Sequence, residues 1–248
     1  MTSTFPLALT FLTKLPWPWR GPAEDGALAR AMFWFPWVGA VLGLIFWGAW
    51  AGLSRVLPGP AAAAGLLTLT VWITGGLHLD GLADTADGLV GGRTPAATLS
   101  IMKDSRVGAF GVMSLILALI LKFSLFLAVA DAARGAAILI LYPVISRTGM
   151  VFLAYLSPYA RPEGGLGQAM TMGVSRASAA GAGASAAGLS LAIQGVPGLL
   201  LWGAAAAVVW AGSRYFQKRL GGIAGDVLGA GNEVLEILVL AGAVILSR

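Results

Sequence analysis

Long stretches without a charged side chain constrain this chain of 248 residues more than any other feature. A backbone crossing the hydrocarbon of a bilayer must satisfy its own N–H and C=O groups, which a helix does with about 20 apolar residues at a rise of about 1.5 Å each. Uncharged runs of that length stand at Ala31–Leu53, within Val56–Leu79, at Val107–Ala130 broken only by Lys122, and at Gly135–Ala160 with Arg147 near the middle. Ala177–Ser213 holds 37 uncharged residues, too many for one crossing, and Gln194, Gly195, Pro197 and Gly198 divide it in two. A last run, Val227–Leu246, carries Glu233 and Glu236 in its first turns. The expected fold is all-α, a polytopic integral membrane bundle of about seven transmembrane helices, forming a single membrane-embedded domain over residues 1–248.

Composition narrows the function classes. Only 11% of residues are charged and 58% are hydrophobic, where soluble chains carry about 25% charged. With no cysteine, a disulfide framework, a zinc–thiolate site, an iron–sulfur cluster and a thiol nucleophile are excluded, and the single histidine, His78, excludes multi-histidine metal sites. The net charge is +5, but the basic residues are spread thinly and form no stripe, so nucleic acid is not an expected partner. They sort by loop instead. Lys14, Arg20, Arg30, Arg93, Lys103, Arg106, Arg161, Arg176, Arg214, Lys218 and Arg219 fall on one side, and Arg55, Arg134 and Arg248 on the other. By the positive-inside rule the amino terminus is expected in the cytoplasm and the carboxyl terminus outside. Phe5–Trp19, with Pro6, Pro16 and Pro18 and no small-residue cleavage site, is expected at the interface rather than as a signal peptide. Trp17, Trp19, Trp34, Trp37, Trp47 and Trp50 read as interfacial anchors.

Acidic residues inside or beside spans are costly, so their placement is informative. Asp80, Asp84 and Asp87 stand in GGLHLDGLADTADGLVGG, directly after an uncharged run. On a helix Asp84 lies about 40° from Asp80 and Asp87 about 20° on its other side, so all three share one face. Three stacked carboxylates repel one another, and a compensating cation with oxygen-only ligands points to Mg²⁺ or Mn²⁺. The alternatives are a solvated helix end and a glycine loop cradling a phosphate. His78 lies about 200° from Asp80 and reads equally as a polar helix-end residue, a general base or a substrate contact. Lys103, Asp104 and Arg106 follow, cations suited to phosphate oxygens that a metal does not reach. Near the end, Asp226 and Glu233 share one helix face with small residues between them, while Glu236, about 80° from Asp226, is placed near the interface. Arg147, deep in its run, needs one of these carboxylates or an anionic substrate as partner.

At these residues the chain resembles a known family, the adenosylcobinamide-GDP ribazoletransferases, also called cobalamin synthases or cobalamin 5′-phosphate synthases. The matching segments are FLTKLPWP, GGLHLDGLADTADGL, IMKDSRVGAFG, RPEGGLG and GDVLGAGNE, in the family's order through nearly the whole chain. The resemblance implies a Mg²⁺-dependent multi-pass enzyme of the bacterial inner membrane, with its active site facing the cytoplasm. It would join α-ribazole, or its 5′-phosphate, to adenosylcobinamide-GDP, giving adenosylcobalamin or its 5′-phosphate and GMP. Under this reading Asp84 and Asp87 are catalytic, and Asp80, Asp84, Asp87 and Asp226 hold metal. His78, Lys103, Asp104, Arg106, Arg147, Asn232 and Glu233 contact substrate. Membrane lipid surrounds the protein and a homo-oligomer is left open.

Two alternatives stand beside this. A transporter would also carry acids and an arginine at membrane depth, with carboxylates near the midplane and paired broken helices. A CDP-alcohol phosphotransferase acting on lipid performs analogous chemistry, and Asp80-Gly81 fits the opening of its motif. Asp84 and Thr85 stand where Ala-Arg is required, however, and the later spacing is not kept.

Overall fold

The apolar runs fold as helices, seen here in a computed structural model that describes residues 4–17, 26–130, 135–161, 163–164 and 166–247. Arg20, Arg134, Arg248, Pro18 and Trp19 lie outside the described residues. The helices are α1 (Phe5–Leu12), α2 (Ala27–Ala31), α3 (Phe35–Val56), α4 (Gly59–Thr74), α5 (Leu77–Gly91), α6 (Pro95–Ile101), α7 (Ala109–Ala130), α8 (Gly135–Leu156), α9 (Leu166–Thr171), α10 (Arg176–Gln194), α11 (Val196–Leu220) and α12 (Gly225–Leu246). Among the described residues the one extended pairing outside them is a bridge between Tyr159 and Ile223.

Every expected run is helical, but the number able to cross a membrane differs from seven. Five segments are long and apolar enough: Ala27–Val56, Ala109–Val129, Ala136–Leu156, Val196–Leu220 and Gly225–Leu246. A sixth arises if α4 and α5 count as one span, and these two meet at 88°. Gly75 (φ +64°) and Gly76 (φ +72°) make that corner, a left-handed conformation that glycine alone adopts without strain. The run expected to continue to Leu79 therefore turns after Thr74. The remaining helix, α10, is 19 residues long but mostly Ala, Gly and Ser, which lowers its hydropathy below that of a lipid-facing span. Those small residues serve packing instead. Ala179, Ala182, Gly183, Ala186 and Ser190 are buried, and Gly183 lies so close to Phe152 of α8 that any Cβ would strike the ring.

α8 is the central element. Its Leu139, Leu141, Tyr142, Val144, Ile145 and Val151 are almost fully buried, and it packs most extensively on α3 and α12. Against α3 the contact is backbone on backbone, because Gly39 and Gly43, one turn apart, face Pro143 and Ile140 with no room for a methyl group. The outer faces of α3, α7 and α11 expose Leu44, Trp47, Ile116, Leu117, Ile120, Leu200 and Trp210, as lipid-facing helices do. Trp17, Trp37 and Trp47 are exposed, whereas Trp50 is buried in the core, where it packs instead of anchoring.

Candidate active site

The three aspartates do lie on one helix. α5 begins directly after the glycine corner and carries Asp80, Asp84 and Asp87 with helical spacing. Its position is fixed by backbone contact with α12: a Cβ on Gly81 would collide with the Asp226 backbone, and one on Gly229 would press on that of His78. Close approach of two helices through paired glycines brings Asp226 beside the α5 acids. Asp84 consequently feels the negative charges of Asp80, Asp226 and Asp87 at once, with Arg161 as the opposing cation.

Asp80 and Asp84 open onto a cleft of about 570 Å³. Lys14 and Thr13 from the segment after α1 border it, as do Thr74 at the glycine corner, Ser105, and an apolar wall of Val112, Leu115 and Leu119 on α7. Among the described residues no three acids converge closely enough to hold a metal by themselves. Mg²⁺, however, is commonly bound through one or two carboxylates plus substrate phosphates, with water completing its octahedron. The hard, oxygen-only pair of Asp80 and Asp84 fits that mode and does not fit an all-protein cage.

The other two acids have protein partners. Both Asp87 oxygens accept backbone N–H bonds, Oδ2 from Gly108 at 2.7 Å and Oδ1 from Gly111 at 2.8 Å. This is a carboxylate at the start of α7, satisfying groups that the helix itself leaves unpaired. Asp226 pairs with Arg161 at 2.5 Å. The bridge of Tyr159 and Ile223 explains that pairing, since Ala160 donates to Ile223 and Ile223 to Pro158, each at 2.9 Å, laying the segment after α8 along the approach to α12.

The neighbouring loops converge at the same end of the bundle. Lys103 reaches Glu163 at 3.5 Å, and Arg219 donates to the Gly92 carbonyl at 2.6 Å. Arg106 pairs with Asp104, also donating to it through its own backbone N–H, and holds that exposed carboxyl down at about 2. Arg106 and Lys103 are largely exposed.

His78, Arg147, Asn232 and Glu233 stand apart from the cleft. They are 2%, 1%, 0% and 4% exposed, inside a sealed ionic cluster completed by Lys122 and Glu236. Lys122 lies 2.5 Å from both Glu233 and Glu236. Arg147 pairs with Glu236 and donates to Ser146. Asn232 donates to Glu236 at 3.0 Å and its amide nitrogen lies 3.2 Å from His78 Nδ1. Glu236 is thus 3% exposed and central, not interfacial. Arg147 does take a carboxylate of the last helix, as its depth requires.

Comparison with known proteins adds to this geometry. The profile of the cobalamin-5-phosphate synthase family matches residues 4–244. The chain belongs to that family. It is 42% identical over 245 residues to the adenosylcobinamide-GDP ribazoletransferase of Syntrophobacter fumaroxidans, covering 98% of each chain. The ribazoletransferase of Pseudomonas putida strain W619 is 40% identical, covering 96% of this chain and 97% of its own, and that of Brevibacillus brevis is 38% identical, covering 95% and 96%. No solved structure matches. The resemblance in the motifs is borne out at the level of the cobalamin-5-phosphate synthase family.

Sequence reasoning does not place three residues, Arg161 and Lys14 at the cleft and Lys122 in the sealed cluster. Arg161 lay inside the RPEGGLG segment but was counted only as a loop cation, and nothing local shows that it reaches Asp226. Lys122 was noted as an intramembrane charge without a partner, 111 residues before the carboxylate it meets. Lys14 sat in FLTKLPWP, and its position in the cleft depends on the fold.

Proposed function

We propose that this member of the cobalamin-5-phosphate synthase family is a Mg²⁺-dependent ribazoletransferase of the bacterial inner membrane. It acts as a single membrane-embedded unit with its cleft facing the cytoplasm. The substrates are adenosylcobinamide-GDP and α-ribazole or its 5′-phosphate. The observation that carries the reading is the pairing of Asp80 and Asp84 in one cleft whose remaining walls offer a cation, hydroxyls and apolar side chains.

Bound Mg²⁺ supplies charge neutralisation at the diphosphate oxygens. Asp80 and Asp84 would hold it, with Asp226 nearby and oriented by Arg161. The ribose 3′-hydroxyl of α-ribazole bonds to the phosphorus on the cobinamide side. The bond from that phosphorus to the bridging oxygen breaks, and GMP leaves with its electron pair. Asp84 takes the hydroxyl proton and returns it to solvent, the role of a positioned general base. Asp87, with both oxygens on α7 amides, acts by fixing α5 against α7. Lys103 and Arg106, exposed beside the cleft, meet the outer phosphate.

The transporter reading asks for carboxylates at membrane depth, and Glu233 and Glu236 are such residues. Both are neutralised by Lys122 and Arg147 and lie outside the cleft lining, which does not favour a pathway. The test is GMP release from adenosylcobinamide-GDP and α-ribazole by protein in liposomes. GMP and a cobalamin product are expected with Mg²⁺ and not with chelator. No release under either condition overturns the reading.

A further inference from the structure

Resting on the transfer reading, we infer that Lys14 binds the diphosphate of the activated substrate within the cleft that it borders together with Asp80 and Asp84. The placement of Lys14 is built, not incidental. Its backbone N–H donates to the Ile73 carbonyl at 2.7 Å, tying the segment after α1 to the last turn of α4. Its aliphatic stem then lies across Gly75, where a Cβ would strike the Lys14 Cε. Gly75 is therefore required twice, for its positive φ and for the space that lets the lysine cross the corner.

The ammonium so delivered borders the same cleft as Asp80 and Asp84 but makes no ion pair with either. Three cations at this end of the bundle have acidic partners, Lys103 with Glu163, Arg106 with Asp104 and Arg161 with Asp226, while Arg219 is taken up by the Gly92 carbonyl. A lysine and two carboxylates on one cleft, none of them in an ion pair among the described residues, is the arrangement that a bridging metal-phosphate completes. The acids face the metal and the ammonium faces oxygens that the metal leaves uncovered. Ser105 on the same lining carries a hydroxyl, whereas the Thr13 and Thr74 hydroxyls donate to the Leu9 and Thr70 carbonyls one turn back. The apolar α7 wall, by contrast, has nothing to offer a diphosphate and suits the uncharged part of the substrate pair.

The experiment measures steady-state GMP release in liposomes for wild type, Lys14→Met and Lys14→Arg, varying each substrate in turn, together with GDP binding by equilibrium dialysis in Mg²⁺. A charge-assisted contact to phosphate predicts a rise of roughly 10- to 100-fold in KM for adenosylcobinamide-GDP and in Kd for GDP with Lys14→Met. The KM for α-ribazole should stay within about twofold, and Lys14→Arg should recover most of the loss because it keeps the charge. Unchanged KM and Kd in Lys14→Met, or an effect confined to α-ribazole, overturns the assignment while leaving the transfer reading intact. Lys14-dependent GDP binding by a wild type that releases no GMP overturns the transfer reading and keeps the lysine's role. Elution as a single folded species in detergent controls for misfolding, which is not expected of an exposed side chain.

Discussion

Two groups of charged residues share α12, and they are built on opposite terms. In the sealed cluster two cations, Lys122 and Arg147, answer two acids, Glu233 and Glu236, with side chains at most 5% exposed. At the cleft the acids are in excess: Asp80 and Asp84 face open space, and Asp226 is still 23% exposed while paired with Arg161. The first arrangement is complete within the protein. The second is incomplete, and that incompleteness is what a metal and a phosphate need. Stability and chemistry are thus assigned to separate stretches, or layers, of α12, one facing Lys122 of α7 and Arg147 of α8 and the other facing α5, so substitutions should separate them too.

The largest effect is expected at the cleft. Asp84→Asn should lower GMP release by about 10²–10⁴-fold, the range for losing a general base, while its melting temperature in detergent holds or rises because one repelling charge is gone. Near-normal turnover would break the contrast. Next comes the sealed cluster. Glu236→Gln leaves Arg147 without its carboxylate, which should cost about 3–5 kcal/mol and show as lost folded protein on size exclusion. Replacing both partners, Arg147→Met with Glu236→Leu, should recover most of that stability, since a hydrophobic pair of similar volume replaces a desolvated ionic one. A double variant as unstable as the single would mean the cluster does more than balance charge.

Gly81→Ala tests the seam between the layers. Its methyl group must push α5 from the Asp226 backbone, so a loss of about 1–3 kcal/mol in stability is expected from overpacking, with a fall in turnover as Asp226 moves away. The smallest effect belongs to the rim. Asp104 sits at about 2 because Arg106 hydrogen-bonds it. A carboxylate depressed in the fold stabilises above its unfolded value, near 4, and that contribution fades as pH drops toward 2. Arg106→Ala should therefore lower melting temperature slightly, by the same amount at pH 6 as at pH 8, while raising KM for the GDP-linked substrate. A pH-dependent melting shift in that window would place the pair in the structural layer.

What could be read in advance follows from how far apart the interacting residues are. The single face of Asp80, Asp84 and Asp87 is a matter of helical period over eight residues, and it was legible. The corner was not, because the apolar run was carried across Gly75 and Gly76 to Leu79, and hydropathy does not register a change of backbone direction. The division between the layers was not, because it depends on contacts such as Lys122 with Glu233 and Arg161 with Asp226, 111 and 65 residues apart. Asn232 and Glu233 fall in the same segment as Asp226, and only the rotation of α12 against α5 shows that they point into the sealed layer. The count of about seven exceeds the five to six helices long and apolar enough to cross because it took the run through α4 into α5 as one span regardless of its bend and included α10, whose small residues serve packing.

The balance of the sealed cluster has an electrical consequence. Moving one elementary charge across a membrane potential is worth about 2.3 kcal/mol per 100 mV, so an unpaired ion at this depth would make the conformation of the bundle voltage-dependent. Two positive and two negative groups held rigidly together feel no net force from the field. The cluster itself thus gives a membrane potential no net charge to act on.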